Sequence, residues 1–192
     1  MVLKKFQDEK WKDIEEALEV TLVEHTRKQV QMCAVAKAIC ERYAKANVGE
    51  EIHGSLFEYI PSYYSELDGI PVTIEPFLNG NFDKFVNNNG RICQVDACRK
   101  EKSEKSEALV HYSYESSKKK LMLLDIQGVN YKLSDPEIAT LPEKDGNFEE
   151  RLFCSGNLGE VAIDEFIKGH KCNKFCDHAG LAPLRDSSSL VE

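Results

Sequence analysis

Apolar residues recur at helical spacing through the first quarter of the chain. Residues 8–45 are predicted to be helical, with a possible break near His25 and Thr26. In the second part of this region an apolar side chain occurs every three or four positions, which is the spacing of one buried helix face. That stripe consists of Met32, Val35, Ala36, Ile39, Cys40 and Tyr43. The pattern predicts a long amphipathic helix, preceded by a short strand at residues 2–6.

Shorter apolar runs bounded by turn residues predict strands in the middle of the chain. Residues 56–60 are strand-like, Asp68 and Gly69 form a turn signal, and residues 72–75 form a second strand, which together suggest a hairpin. The apolar runs 108–114 and 121–126 lie on either side of a charged turn and suggest another hairpin.

The remaining segments are predicted to be loops and one short helix. Residues 99–106 are charged and predict a solvated loop or the start of a helix, and residues 128–148 are rich in loop signals. An amphipathic helix is predicted at residues 159–168, and residues 185–192 form a flexible tail. A strand, long helices, antiparallel hairpins and a helical end predict an α+β fold in a single domain, residues 1–184.

Composition narrows the class of protein. The 192 residues are 42% hydrophobic and 30% charged, which suits a globular domain with a sizeable core. A net charge of −8 argues against nucleic-acid binding. No apolar run approaches the 18 or so residues of a membrane span, and the N-terminus does not resemble a secretory signal. Seven cysteines, an odd number, then suggest reduced thiols and a cytoplasmic location.

One short run carries the clearest metal-ligand pattern. His170, Cys172 and Cys176 place an imidazole and two thiols within seven residues, and three such ligands suit tetrahedral zinc. Zinc needs one more ligand, and spacing alone leaves His178 open for that place. The alternative is a pair of free thiols beside an exposed histidine.

Oxygen-bearing side chains follow a buried strand. Asp125 comes directly after the apolar run 121–124, Gln127 shares its side of an extended segment, and Asp135 follows ten residues later. Two carboxylates and an amide oxygen can hold magnesium, or one carboxylate can accept a proton from an attacking hydroxyl. The competing interpretation is that Asp125 caps a turn and Asp135 forms an Asx-turn before Pro136.

An ordered set of short motifs resembles one family, the atypical alpha-kinases. The matching strings are VLKKF (2–6), TIEPF (73–77), FVNNNG (85–90), HYSY (111–114), LDIQGV (124–129), LSDP (133–136), GNLG (156–159) and the His-x-Cys-x3-Cys run (170–176). They occur in the family's order and span nearly the whole chain. The resemblance implies a two-lobed kinase-like fold of antiparallel sheets and helices, with an N-lobe part at about 1–75, a C-lobe at about 76–184 and a C-terminal zinc-binding module.

The resemblance also implies roles for individual residues. Lys4 would contact the ATP phosphates, and Asp125 would be the catalytic aspartate facing the substrate hydroxyl. Gln127 and Asp135 would hold Mg²⁺. The other implied nucleotide contacts are Glu75 at the hinge, Phe77 and Leu78 near the adenine, and Asn157 in the late glycine-rich loop, which could instead contact peptide.

The same resemblance completes the zinc site. His111, expected on a strand, would join His170, Cys172 and Cys176 in a closed His2Cys2 set that ties the C-terminal helix to the sheet. The implied activity is transfer of the ATP γ-phosphate to Ser or Thr of a protein substrate. The alternative is a catalytically weak or inactive kinase-like, zinc-stabilised binding module.

One departure from the family pattern affects the expected activity. The family places two further strands before the lysine strand, and they cover the ATP phosphates. The sequence begins at the lysine strand, so those strands either lie upstream in a longer protein or are lost. We expect reduced or absent activity from these residues alone, because phosphoryl transfer depends on positioning and charge neutralisation.

Overall fold

The computed structural model describes residues 1–46, 54–141 and 157–184. It has the predicted α+β architecture. The helices are α1 (Asp8–Leu18), α2 (Leu22–Ala46), α3 (Lys100–Ser116), α4 (Gly159–Gly169) and α5 (Lys174–His178), with a short 3-10 turn at Ala97–Arg99. The predicted tail, residues 185–192, lies outside the described residues, as does Gly156 of the late glycine-rich loop.

Nine strands of the described residues form three small sheets. The strands are β1 (Val2–Lys4), β2 (Glu58–Tyr59), β3 (Tyr63–Leu67), β4 (Ile70–Glu75), β5 (Phe82–Val86), β6 (Leu121–Leu124), β7 (Ile126–Val129), β8 (Lys132–Leu133) and β9 (Glu137–Thr140). Their orders are β1-β4-β3, β2-β8-β7-β5 and β6-β9. All pairs are antiparallel except β2 with β8. Three of these strands, β7 to β9, fall in or border the region predicted to be loop-rich.

The helical region divides a few residues before the predicted break. Glu19 ends α1 in the left-handed conformation, and α2 starts at Leu22. Thr21 and Glu24 form a capping box: the Thr21 hydroxyl accepts the Glu24 N–H at 3.2 Å, and the Glu24 carboxylate accepts the Thr21 N–H at 2.9 Å. The break therefore lies where the Thr-x-x-Glu signal stands, whereas His25 is inside the helix.

The hairpin at Asp68 and Gly69 is confirmed, but with a different first strand. Both turn residues have positive φ, 52° and 76°, which suits the tight turns that join twisted strands. Strand β3 pairs with β4 across this turn, whereas β2 pairs with β8 in another sheet. The first hairpin strand is therefore Tyr63–Leu67 rather than residues 56–60.

The second predicted hairpin is wrong, because residues 108–114 are the end of helix α3. The charged run and the apolar run form one helix that packs against β5, β6, α2 and α5, so its C-terminal half is buried on most sides. Such all-round burial removes the polar face that normally marks a helix in sequence. Lys105 is itself buried and pairs with Glu101 at 2.7 Å, so the charged half is only partly solvated. His111 consequently lies on a helix rather than a strand.

The apolar core joins α2, α3, α4 and α5 to the strands between them. The largest fully buried side chains include Tyr59, Phe85, Phe166, Phe175 and Met122. The predicted stripe on α2 contributes Met32, Ala36, Ile39, Cys40 and Tyr43. Within the described ranges, no helix combines the length and the apolar character needed to cross a membrane.

Candidate active site and metal centre

A polar cleft of about 210 Å³ opens between the β1-β4-β3 sheet, helix α2 and the strands that follow β6. Its walls bring together residues that are far apart in the sequence. Helix α2 contributes Gln29, Met32 and Cys33. The β1-β4-β3 sheet, called the upper sheet below, contributes Thr73 and Glu75, with Ser62 directly before its strand β3. The segment from the end of β6 to β9 contributes Asp125, Gln127, Asp135 and Glu137. Four of the predicted site residues, Glu75, Asp125, Gln127 and Asp135, therefore line one cleft.

Lys4 bridges the two sides of this cleft. Its ammonium donates to Glu75 Oε2 at 2.7 Å and to Asp135 Oδ2 at 2.9 Å. Burial by itself would lower the pKa of Lys4, but the hydrogen bonds and charges of the Glu75 and Asp135 carboxylates have a larger, opposite effect. The pKa of Lys4 is therefore raised overall. Lys4 is therefore held as a cation whose charge faces the cleft.

Asp125 is a buried carboxylate in a constrained position. Its φ of 54° is in the left-handed region, which Asp tolerates better than most residues. Its Oδ1 pairs with Lys84 Nζ at 2.5 Å, and the Asn88 backbone N–H also donates to the carboxylate. Burial raises the pKa of Asp125 above its ordinary value, although Lys84 opposes the shift. A more basic carboxylate is better suited to accept a proton.

Gln127 and Asp135 lie beside Asp125 and offer oxygen ligands. The Gln127 amide nitrogen donates to Asp125 Oδ2 at 2.7 Å and approaches the Asp135 backbone carbonyl at 3.4 Å. This orientation leaves the amide oxygen available as a ligand. The backbone of Asp135 is also in the left-handed region, with a φ of 51°, and its side chain is 60% exposed. An amide oxygen, an exposed carboxylate and a neighbouring buried carboxylate are the donor set that Mg²⁺ accepts.

Sequence reasoning missed Lys84 and Ser62. Lys84 lies on β5 directly opposite Gln127 on β7, and this register brings its ammonium to Asp125. Ser62 follows β2, and its hydroxyl donates to Glu75 Oε1 at 3.1 Å. Neither residue stands in a motif that names its role. Strand register brings Lys84 to Asp125, and the connection from β2 to β3 brings Ser62 to Glu75, and both relations become visible only in three dimensions.

Three predicted nucleotide contacts stand apart from this group. Phe77 is 67% exposed and Leu78 half-buried, on the connection after β4. The Asn157 side chain is bonded to Thr140 at the end of β9, accepting its N–H at 3.1 Å and donating to its hydroxyl at 2.8 Å. Among the described residues that line the cleft, none of the three is present. Their predicted contacts with nucleotide or peptide remain predictions.

The turn at residues 87–90 links the cleft to helix α4. The Gly90 N–H donates to the Asn87 carbonyl at 3.0 Å, and Gly90 has a φ of 84°. A Cβ at Gly90 would collide with the Ala162 carbonyl and lie 2.9 Å from the Phe166 nitrogen, so only glycine permits this close approach. Because Asn88 donates to Asp125, α4 supports the catalytic candidate through this turn.

The second site is a buried cluster of histidines and cysteines. One ligand atom from each of His111, His170, Cys172 and Cys176 lies within 4.8 Å of the others. Cys176 Sγ is 3.5 Å from His170 Nε2, and Cys172 Sγ is 3.8 Å from His111 Nδ1. The cluster joins α3 to the segment that ends α4 and forms α5. His178, the alternative fourth ligand, is outside it.

The chemistry of this cluster fits a metal ion. Burial, together with the neighbouring His170, lowers the pKa of His111 to about 4, so the ring is neutral as a metal ligand must be. The Ala182 backbone also interacts with the His111 ring, which is the kind of outer support that metal-binding histidines have. His170 Nδ1 lies 3.1 Å from Glu107 Oε2, the carboxylate support that zinc-binding histidines usually have. Burial raises the pKa of Cys176 to about 12, so its thiolate needs a nearby cation.

Comparison with known proteins gives consistent matches. The model of the Alpha-kinase family matches residues 1–176. Myosin heavy chain kinase C of Dictyostelium discoideum is 36% identical over 138 residues, which cover 69% of this chain and 16% of that protein. Transient receptor potential cation channel subfamily M member 6 of Mus musculus is 36% identical over 115 residues, 59% of this chain and 5% of that protein.

Solved structures with the same fold are also alpha-kinase domains. The C-terminal truncated alpha-kinase domain of myosin heavy chain kinase has a TM-score of 0.68 at 30% identity, covering 83% of this chain and 60% of that one. The alpha-kinase domain of myosin-II heavy chain kinase A in complex with AMP-PNP has a TM-score of 0.71 at 26% identity, covering 96% and 64%. This chain thus spans less than two thirds of these solved domains and a small part of the curated relatives.

Proposed function

Since this chain belongs to the Alpha-kinase family, we propose that it transfers the γ-phosphate of ATP to a Ser or Thr hydroxyl of a protein substrate. The observation that carries the proposal is that Glu75, Asp125, Gln127 and Asp135 line one cleft, and that Lys4 forms ion pairs with two of them, Glu75 and Asp135. These residues come from four separate parts of the sequence. Four of them suit the binding of Mg-ATP, and Asp125 is the one whose role belongs to transfer itself, so it distinguishes a kinase from a binding module.

The proposed roles follow from charge and position. Phosphoryl transfer has a loose transition state, so the protein contributes mainly positioning and charge neutralisation. Lys4 binds phosphate oxygens after exchanging its Asp135 partner for them. Gln127 and Asp135 hold Mg²⁺, which when bound neutralises charge on the phosphates. Glu75 keeps Lys4 in place.

Asp125 orients the attacking hydroxyl and accepts its proton. Its raised pKa favours that role, and its left-handed backbone fixes the carboxylate at the end of a buried strand. Lys84 supplies a positive charge beside the carboxylate, where the transferring phosphoryl group would also pass. The Lys84 ammonium thus holds Asp125 and can turn to phosphate during transfer.

We also propose that His111, His170, Cys172 and Cys176 hold a structural zinc ion. Four protein ligands close the coordination shell, so zinc here would bind no substrate. The site would fasten the α4–α5 segment to α3. The grouping of the four ligand atoms within 4.8 Å and the Glu107 support of His170 favour this assignment over a pair of free thiols.

The test of the kinase proposal is transfer of labelled γ-phosphate from Mg-ATP to a Ser/Thr peptide or to the chain itself. Asp125→Asn is the informative variant, because Asn tolerates the left-handed backbone that Ala would strain. Asp68→Asn is the matched control, since Asp68 has a φ of 52° in the β3–β4 turn. We expect transfer in the parent chain and in Asp68→Asn, and a loss of about 100-fold or more in Asp125→Asn.

Two results would contradict the proposal. Equal transfer by Asp125→Asn and the parent would remove Asp125 from the reaction. ATP binding by a parent chain that transfers nothing would instead favour the alternative function, a kinase-like binding module.

A further inference from the structure

Two connections between strands cross from one sheet to the other beside the cleft. Residues 60–62 lead from β2, in the four-stranded sheet, to β3 in the three-stranded sheet, and residues 76–81 lead from β4 back to β5. Ser62 ends the first crossing, and Glu75 immediately precedes the second. The Ser62 hydroxyl donates to Glu75 Oε1 at 3.1 Å, so one side-chain hydrogen bond joins the two crossings.

This hydrogen bond acts on a carboxylate that has little access to water. Glu75 is 4% exposed, and a buried carboxylate is costly unless donors satisfy its oxygens. Ser62 donates to Oε1 and Lys4 donates to Oε2 at 2.7 Å. With Oε1 held by Ser62, the carboxylate cannot rotate freely, and Oε2 stays directed at Lys4.

Helix α2 reaches the same point through Cys33. Cys33 and Ser62 both line the cleft, and the Ser62 hydroxyl lies close enough to the Cys33 sulfur to interact with it. Burial raises the pKa of Cys33 to about 12, so the thiol keeps its proton at neutral pH. The Ser62 hydroxyl has one proton, and a neutral thiol competes for it less well than the Glu75 carboxylate does.

We propose that Ser62 is a positioning residue that fixes the Glu75 carboxylate, and through it Lys4, for binding the phosphates of ATP. The ATP part of this inference rests on the proposed kinase function. The contact between Ser62, Glu75 and Lys4 does not, because it is made entirely by side chains of this chain. Ser62 joins α2, the upper sheet and the crossing between sheets at a single hydroxyl.

The test compares Ser62→Ala with Ser62→Thr, which restores a hydroxyl, and with Ser65→Ala as a control on β3, the strand that follows Ser62. Ser65 lies opposite Val72 and is not among the residues that line the cleft. The first readout is the rate at which Lys4 is acylated by an amine-reactive reagent, followed by mass spectrometry. The second is the KM for ATP measured beside kcat, with ATP affinity from calorimetry.

We expect Lys4 acylation to rise and ATP affinity to fall, each by about tenfold, in Ser62→Ala, because the lost bond is to a charged group. The change should fall mainly on KM, and Ser62→Thr should restore both readouts. Unchanged Lys4 acylation in Ser62→Ala would overturn the proposal, whatever the activity. Faster acylation in a chain that neither binds ATP nor transfers phosphate would leave Ser62 as the anchor of Lys4 and overturn the kinase function instead.

Discussion

Gly90→Ala should uncouple Asp125 from helix α4. Two costs add at this position. A non-glycine residue in the left-handed region costs about 1–2 kcal/mol. Forcing a Cβ against the Ala162 carbonyl and the Phe166 nitrogen adds a packing cost of about 1–3 kcal/mol. We therefore expect the free energy of unfolding to fall by roughly 2–5 kcal/mol.

Gly69→Ala separates these two costs. Gly69 has a φ of 76°, close to that of Gly90, but a Cβ there would meet nothing within 4 Å. Gly69→Ala should therefore lower the free energy of unfolding only by the cost of the left-handed backbone, about 1–2 kcal/mol. Urea unfolding of the parent and both variants measures the difference, with phosphate transfer measured under conditions where all three are folded. Gly90→Ala should also lose transfer, because the turn carries the Asn88 N–H that donates to Asp125. Equal destabilisation by the two substitutions would refute the close packing of this turn on α4.

The remaining predictions concern the metal cluster and a buried histidine. The His111→Ala variant should lose bound zinc and have a lower melting temperature, and a chelator should have the same effects on the parent chain, whereas His178→Ala should keep the metal. Metal analysis and thermal melts test these expectations. A melting temperature that the chelator leaves unchanged would refute the zinc site. His25 is buried, and among the described residues neither ring nitrogen has a hydrogen-bond partner. Burial, with a smaller contribution from Lys28, lowers the pKa of His25, so folding favours the neutral ring. The free energy of unfolding should therefore be insensitive to this histidine above about pH 6.5 and should decline as the pH falls below that value, by at most about 1.4 kcal/mol per pH unit. The decline should be smaller in His25→Leu. Urea unfolding from pH 7 to pH 5 tests this, and parallel profiles for parent and variant would contradict it.

Local signals predicted the parts of the fold that depend on neighbouring residues. The stripe on α2, the turn at Asp68 and Gly69, and Asp125 at the end of a buried strand all follow from spacing within a few residues. Helix α3 could not be predicted this way, because burial on most sides hides its period and a lysine is buried within it. The same limit applies to the site. The acidic residues and the histidine–cysteine run stand in short motifs, but Lys84 and Ser62 gain their partners only from strand register and from the crossing between sheets.

The pairing of Lys4 with Glu75 bears on how such an enzyme can be regulated. In most protein kinases the ATP-binding lysine pairs with a glutamate on a mobile helix, and swinging that helix outward breaks the pair and switches the enzyme off. Here the glutamate is on β4, the strand that pairs with the lysine strand β1, with Val2 opposite Glu75. Helix α2 lines the cleft with Gln29 rather than with a carboxylate. The two partners of the ion pair therefore lie on adjacent strands of one sheet. The pair forms without a glutamate on a helix, and a moving helix could act on it only indirectly, through Ser62.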